Sequence, residues 1–600
     1  MQAIILAAGM GKRLKEYTQN NTKCMVKVCG ETLIERTLKQ LSQREISRVV
    51  IVIGYKGAEL RSFIESLDVD IKVEFVENPI YDKTNNIYSL YLAKDYLCQE
   101  DTILLESDII FETAILDALL EDPRESLALV DQYESWMDGT CLKLREDDSI
   151  EAFIPGKNLN YRERELYYKT VNIYKFGKEF STSRYVPFLE AYSKALGNNE
   201  YYEQVLKVLA VLDNAGIYAK RLSGQKWYEI DDAQDLDIAT SMFAEDSKRL
   251  SLMQERYGGY WRYPRMKDFC YLVNPFFPPV RMQEEMKAVY GDLLCAYPSG
   301  MKVNSLLASK NTGIKQEHIL VGNGAAELIR SLMEKIDGKV GIIRPSFEEY
   351  GHRISKEQEV VFTPGKPDFA YGVDDIIGFF DDKEIRNLVL INPDNPSGNY
   401  IESKQLYKLF DWTKQKGIRL IYDESFSDFA CEKERNMLKE EVLQKYPEIY
   451  IIKSLSKSYG IPGLRLGLLA SADEEMISYL KKDVAIWNIN SFAEFFLQIF
   501  GKYEKDYEAA TRELVKERKW FADQLSKIEG VRVIPSEANY LMVELTGNVS
   551  ARDLTEKLLV KHDILVKDLS QKTNGEYLRI AIRDRADNEA LILAMKEERK

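Results

Sequence analysis

Ser454-Leu455-Ser456-Lys457-Ser458-Tyr459-Gly460-Ile461-Pro462-Gly463-Leu464-Arg465-Leu466-Gly467 sets one lysine among hydroxyls and glycines, with an arginine eight residues on. The run follows an apolar β-branched segment, Ile449 to Ile452, that reads as a strand. Upstream, Asp423 follows the strand-like Arg419 to Tyr422, and Asn395 follows Leu388 to Asn392. Asn395, Asp423 and Lys457 stand 28 and 34 residues apart. Each interval is close to the ~30 residues of one strand-helix-strand step, so the three converge at one edge of a parallel sheet, where ligands bind.

That constellation suits a lysine that carries pyridoxal phosphate. Ser454, Ser456 and Arg465 supply an anion-binding neighbourhood for the cofactor phosphate. Gly322-Asn323-Gly324-Ala325-Ala326-Glu327 opens a helix whose first amides, around Ala325 and Ala326, face the same phosphate. Asp423 pairs with the pyridinium nitrogen, and Asn395 reaches the ring hydroxyl. Lys457 then moves protons in the reaction itself.

Together these residues resemble the fold-type I aminotransferases, above all the histidinol-phosphate aminotransferase group and its threonine-phosphate decarboxylase cousin, over residues 263–600. The resemblance implies that Tyr350 stacks on the cofactor ring and that Arg579 binds a substrate carboxylate. It also implies a homodimer in which Tyr297 reaches the partner's cofactor phosphate. One departure is Phe426, where many aminotransferases carry a tyrosine that touches the cofactor hydroxyl; the decarboxylase cousin accepts phenylalanine there.

A second organised half precedes this one. Six hundred residues exceed one hydrophobic core, and Ala3 to Ala8, Arg48 to Gly54, Val73 to Glu77 and Thr102 to Ser107 alternate with amphipathic segments. An α/β sheet with parallel strands is expected over residues 1–240. Residues 241–262 read as a linker, with the segment Ala233 to Arg256 helical and then broken at Gly258, Gly259 and Pro264.

In the first half, Leu6-Ala7-Ala8-Gly9-Met10-Gly11-Lys12-Arg13 follows a strand directly, and Lys23 comes ten residues later. Glycine lets backbone amides approach a phosphate chain, while Lys12, Arg13 and Lys23 neutralise charge that builds during transfer. Asp108, Glu229 and Asp231 at strand ends suit a magnesium ion bridging a nucleoside triphosphate. The half resembles the nucleotidyltransferase superfamily. Asn85 to Leu92 and Tyr228 to Asp231 look most like the CTP-dependent phosphocholine cytidylyltransferases and their phosphonate-using relatives.

That resemblance assigns nucleotide contacts to Leu6, Ala7, Gly9, Gly11, Asn86, Ser89 and Ser107, the α-phosphate to Lys23, and Mg2+ to Asp108 and Asp231. Thr22 departs from it, because the family usually carries proline before the lysine. Trp136 is read as a cation-π face for a cationic head group, with Asp138 and Glu203 as acceptors for an ammonium.

The expected architecture is therefore α/β throughout, an N-terminal Rossmann-like, GT-A-like nucleotidyltransferase domain followed by a C-terminal fold-type I pyridoxal phosphate aminotransferase domain. The whole arrangement resembles fusions of a phosphonate cytidylyltransferase with a 2-aminoethylphosphonate transaminase. It implies conversion of phosphonoacetaldehyde to 2-aminoethylphosphonate with an amino-acid donor, then coupling to CTP with release of pyrophosphate. Two alternatives stand beside it. One is a phosphocholine cytidylyltransferase joined to a histidinol-phosphate-like aminotransferase or a threonine-phosphate-type decarboxylase; the other is a cytidylyltransferase with an idle dimerisation module.

Composition narrows the rest. A net charge of -14 argues against nucleic-acid and anionic-membrane partners. Seven scattered cysteines form no CxxC pair, and three histidines lie far apart, so disulfide and zinc frameworks have no support. The opening apolar run is too short to span a membrane and has no basic flank, which makes the expected compartment the cytoplasm.

Overall fold

Gln2–Ala7 and Val49–Ile53 are buried along their whole length, which requires sheet neighbours on both edges and helices on both faces. The computed structural model describes residues 1–212 and 215–599, and the chain divides into two units, Met1–Arg262 and Tyr263–Lys600. In the first unit Gln2–Ala7 pairs in parallel with Val49–Ile53 and with Thr102–Glu106, and Val73–Glu77 extends the same sheet. Tyr168–Phe176 then pairs antiparallel with Thr102–Glu106, so the sheet is mixed rather than wholly parallel.

A small second ribbon positions the acids. Trp227–Glu229 pairs antiparallel with Ile109–Phe111, placing Glu229 opposite Ile109. Ile230 N donates to Asp108 O at 2.9 Å, which draws Glu229 and Asp231 beside Asp108 across more than a hundred residues of chain. The expected continuous helix from Ala233 to Arg256 is two helices, Ala233–Met242 and Asp246–Glu255. The stretch read as a linker, residues 241–262, carries the second helix and belongs to the first unit. Met253 and Leu250 are buried there, so apolar packing claims residues that looked merely polar.

The second unit is built on seven strands in the order Ile319–Asn323, Leu466–Ala470, Ile449–Ser454, Arg419–Asp423, Asn387–Ile391, Val340–Ile343 and Glu359–Phe362. Leu466–Ala470 is antiparallel to both neighbours, whereas the remaining pairs run parallel. Ile391 is in register with Asp423, and Asp423 with Ile452. The carboxyl ends of three adjacent strands therefore line up, and the loops that follow them deliver Asn395, Asp423 and Lys457. A four-stranded sheet near the C-terminus carries Arg579 on Tyr577–Ala581.

Gly460 ends the turn after Lys457 with φ +64°, and a methyl group there would overlap the carbonyl oxygen of Phe277. Gly463, two residues beyond Ile461, faces open space. Gly460→Ala should destabilise the unit by roughly 2 kcal/mol and Gly463→Ala by far less, a contrast that thermal unfolding followed by calorimetry will read.

Candidate active sites

In the first unit the chain turns out of Gln2–Ala7 into the glycine loop, where Gly11 takes φ +58°. A Cβ at Gly11 would stand 3.1 Å from both Lys23 Cβ and Thr18 Cγ2, so the loop can lie this close to Lys23 only as glycine. The loop opens a cavity of about 740 Å³. Leu6, Ala7, Gly9, Gly11, Lys12, Arg13, Lys23, Asn86, Ser89 and Ser107 all line it, as do Asp108, Asp138, Glu203, Glu229 and Asp231.

Trp136 does not. Its indole stacks on Tyr228 at 4.3 Å with 5° between the planes, so the aromatic face intended for a head group is spent on packing. Asn86 is also committed: its amide donates to Glu106 Oε1 at 2.9 Å and its carbonyl accepts from Tyr202 N at 3.0 Å.

Lys23 is the electrostatic centre of the cavity. Its ammonium bridges Asp108 and Asp231, the latter at 2.7 Å, and Arg13 meets Asp231 at 2.7 Å from the other side. Burial opposes the charge on Lys23, yet the two carboxylates win and hold its pKa above the ordinary lysine value. Burial likewise opposes the charge on Asp231, but Lys23 and Arg13 hold it below the usual carboxylate range. Glu229 moves the other way because burial outweighs Lys169, which lies 3.3 Å from it.

Asp108, Glu229 and Asp231 each offer an oxygen within 4.8 Å of the others, and Asp108 Oδ1 is buried without a hydrogen-bond partner. An all-carboxylate donor set of this size fits a hard cation such as Mg2+. When bound, such an ion would neutralise charge on a triphosphate, while Lys23 and Arg13 do the same from the protein side.

In the second unit, Lys457 enters from the end of Ile449–Ser454 in a single helical turn, Leu455–Ser458. Its Nζ lies 4.2 Å from the centre of the Phe426 ring and 5.3 Å from that of Phe347. Desolvation pushes the amine down to about 8; Asp423 resists the shift, and Arg579 and Arg465 add to it. A substantial share of neutral, nucleophilic amine therefore exists near neutral pH.

Asp423 accepts from Tyr350 Oη at 2.7 Å through Oδ2 and from Ser425 N at 2.9 Å through Oδ1. Tyr350 thus holds the carboxylate, a different task from the ring stacking that the resemblance implied, and Phe347 is the aromatic that faces Lys457. The phenylalanine at 426, where many aminotransferases carry tyrosine, gives Lys457 two phenyl neighbours.

The helix Ala325–Lys335 begins beside Arg465. A Cβ on Gly324 would lie 2.5 Å from Arg465 Nη2, and one on Gly467 would lie 2.5 Å from Ala325 N. Only glycine at both positions lets the guanidinium and the helix amides share one phosphate-sized cradle. Ser456 Oγ accepts from Leu466 N at 3.2 Å and approaches Leu466 O at 3.3 Å, so it fastens the turn. Ser454 remains beside the cradle with Arg465 and the amides of Ala325 and Ala326.

Arg579 donates to Asn395 Oδ1 at 2.7 Å and to Cys270 O at 2.9 Å, while its Nε is buried without a partner. Lys567 stands directly opposite Arg579 in the sheet register. Lys572 has its pKa lowered by burial, with Arg579, Lys567 and Arg344 adding to the shift against Glu348. Tyr297 is elsewhere on this unit, 79% exposed and stacked on Trp487 at 4.4 Å.

The lysine, the aspartate and the arginine-backed helix terminus fit pyridoxal phosphate: an amine of depressed pKa, a fixed carboxylate and a cradle that a Cβ would fill. Sequence reading missed Phe347, Lys567, Lys572 and Glu106. Glu106 alone carried a signal, as the acid two residues before Asp108 at the end of a strand.

Residues 295–595 match the family "Aminotransferase class I and II", and residues 3–147 match "MobA-like NTP transferase domain". The chain belongs to the class I and II aminotransferases, fused to a MobA-like NTP transferase domain. CMP-5'-(3-aminopropyl)phosphonate synthase of Streptomyces rubellomurinus is 30% identical over 100% of this chain and 95% of that protein, a fusion of the same kind. L-serine phosphate decarboxylase of Sulfurospirillum multivorans is 34% identical over 55% of this chain and 87% of its own length. A solved decarboxylase structure from the same organism has a TM-score of 0.53 at 33% identity, covering 57% of this chain and 91% of that one. The protein is an enzyme with a nucleotidyltransferase half and an aminotransferase-type half, and membership of the second family implies pyridoxal phosphate. Among the described residues no helix is long and apolar enough to cross a membrane.

With Lys457 lowered to about 8, the neutral amine that captures the cofactor aldehyde grows as pH rises through that value. Reconstitution of the stripped enzyme with pyridoxal phosphate should therefore accelerate about fivefold from pH 7 to pH 8 and level off above pH 9, followed by the rise of visible absorbance. A rate that is flat over this interval would remove the depressed amine from the account.

Proposed function

We propose that the C-terminal half removes CO2 from a short α-amino acid whose side chain ends in a phosphate or phosphonate. The N-terminal half then couples the resulting primary amine, through its phosphorus oxygen, to CMP from CTP with release of pyrophosphate. The observation that carries this reading is the cationic cluster built on Arg579, which acts on Lys457 and has Lys567 opposite it in the sheet register and Lys572 within its electrostatic reach. A substrate with a carboxylate at one end and a phosphorus dianion at the other fits two such cations. The names of the relatives support it, since one acts on L-serine phosphate by decarboxylation and the full-length one makes a CMP-linked aminopropylphosphonate.

Bound pyridoxal phosphate supplies an electron sink for the bonds at the substrate Cα. Asp423, fixed by Tyr350 and the Ser425 amide, keeps the ring nitrogen protonated. Arg579 orients the carboxylate, and the two phenyl faces of Phe347 and Phe426 exclude water from it, which favours neutral CO2 over the anion. Lys457 returns a proton to Cα, giving R–CH2–NH3+ from R–CH(NH3+)–COO− and a proton. In the first unit a phosphate or phosphonate oxygen displaces pyrophosphate from the α-phosphorus of CTP, with Lys23 and Arg13 stabilising the charge that accumulates.

The reading drawn from sequence, transamination of phosphonoacetaldehyde to 2-aminoethylphosphonate, uses the same Lys457 and Arg579 and is favoured by the aminotransferase family itself. The two separate cleanly. Holoenzyme incubated without CTP should release CO2 from L-serine phosphate or from 2-amino-4-phosphonobutyrate, and adding CTP and Mg2+ should then release pyrophosphate. Appearance of 2-aminoethylphosphonate from phosphonoacetaldehyde and an amino acid, without CO2, would establish the transaminase instead. A CTP-dependent preference for phosphocholine over every primary amine would overturn the acceptor class.

A homodimer is part of the proposal. Val280, Leu294, Tyr297 and Ile486 on the second unit are each more than 60% exposed, and Trp487 and Tyr290 lie among them in sequence. Several large apolar side chains left in water favour burial against a second copy. Analytical ultracentrifugation should find about twice the monomer mass, and Tyr297→Asp with Ile486→Asp should shift the protein to the monomer.

A further inference from the structure

The nucleotide cavity reaches an alcove that neither the triphosphate chemistry nor the metal ligands use. Glu203 opens the helix Glu203–Ala210 and lines the cavity, yet it is only 7% exposed and its Oε2 is buried with no hydrogen-bond partner. Tyr174 and Tyr202, fully buried residues whose rings meet edge to face at 5.7 Å, pack around Glu203 outside the cavity lining. Both hydroxyls lie within the electrostatic reach of Glu203 and Glu106. Asn86 fastens the group by linking Glu106 Oε1 to Tyr202 N, the residue before Glu203.

An unpartnered buried carboxylate is costly, and proteins retain one where a ligand completes it. Burial pushes Glu203 up to about 7; Lys169 lowers it, and Glu229 raises it further. Lys169 does not serve as its counter-ion, because that ammonium donates to Thr170 O at 2.7 Å and pairs with Glu229. The acids lining the cavity, Glu106, Asp108, Asp138, Glu200, Glu203, Glu229 and Asp231, outnumber the cations Lys12, Arg13, Lys23, Lys157 and Lys169. Asp108, Glu229 and Asp231 form the metal-sized cluster, which leaves Glu203 outside it.

We infer that Glu203, backed by Tyr174 and Tyr202, forms the subsite that binds the primary ammonium of the acceptor and thereby selects aminoalkyl phosphates or phosphonates for transfer of CMP. A carboxylate accepts from the N–H donors of a primary ammonium, whereas a quaternary ammonium has none to give. Trp136 is stacked on Tyr228 and is not part of the cavity wall, whose aromatic residues are Tyr81 and Tyr201. The inference rests on the proposed cytidylyl transfer to a phosphorus-bearing amine and deepens it.

The test uses the full-length holoenzyme with CTP and Mg2+, reading pyrophosphate release with two matched pairs: 2-aminoethylphosphonate against ethylphosphonate, and phosphoethanolamine against ethyl phosphate. The wild type should prefer the amine of the better pair by about 100-fold in kcat/KM, and Glu203→Gln should raise its KM about 30-fold while leaving KM for CTP unchanged. The preference over the amine-free partner then falls toward unity. If Glu203→Gln keeps the wild-type preference, the subsite assignment is overturned while the transfer reaction stands. If the wild type releases no pyrophosphate with either amine, the functional reading beneath it fails instead. Should Glu203→Gln lose turnover with CTP altogether, Tyr174→Phe decides: a reduced preference supports the subsite, and an unchanged one overturns it.

Discussion

A lysine held against phenyl rings is worth more as an amine than as an ammonium, and the second unit is organised around that constraint. Desolvation depresses Lys457, and Asp423 limits the depression without forming an ion pair with it. Asp423 keeps that distance because Tyr350 and the Ser425 amide occupy its oxygens. Parallel register then supplies the geometry: adjacent strand ends bring aspartate, asparagine and lysine to one edge without any contact between them along the chain. The antiparallel return of Leu466–Ala470 does the rest, since its pairing with Ile319–Asn323 sets Arg465 at the mouth of the helix that starts at Ala325.

The first unit handles a buried lysine in the opposite way. Lys23 loses as much water, but two carboxylates at hydrogen-bond distance keep it charged. The difference suits the work that the proposed reading gives each lysine: an amine that captures a carbonyl must be neutral part of the time, whereas one that stabilises a pentacoordinate phosphorus must stay charged. On that reading Lys23 would enter the reaction cycle already paired, and a cation on the carboxylates would free it to turn toward phosphate.

What was legible in the chain was whatever the backbone decides. The runs Val73 to Glu77 and Val340 to Ile343 are strands at those bounds, and the other strands depart by only one or two residues at their ends, because buried β-branched runs have one reasonable conformation. The spacing of Asn395, Asp423 and Lys457 was equally readable, since strand-helix-strand length is a property of the chain. Side-chain direction was not. Whether Phe347 or Tyr350 faces the lysine, whether Trp136 stacks inward on Tyr228, and whether Ser456 binds an anion or the Leu466 backbone all depend on neighbours distant in sequence. The break between Ala233–Met242 and Asp246–Glu255 was hidden for a related reason: the few buried residues of the second helix, among them Arg249, do not draw a clear apolar stripe.

The two halves also constrain each other chemically. On the proposed reading, a phosphorylated or phosphonylated amino acid and the amine derived from it share the phosphorus group that the nucleotidyltransferase would activate, so that group cannot tell them apart. They differ in one carboxylate at the carbon that bears the ammonium. On that reading, Glu203 at the ammonium end would accept R–CH2–NH3+ and disfavour R–CH(NH3+)–COO−, because a carboxylate brought against a buried acid loses its water without gaining a donor. The same buried acid that would hold the amine would therefore turn away its precursor. Order in such a two-step enzyme would then follow from the acid beside the nucleotide, which would admit the substrate only after the lysine site had taken its carboxylate away.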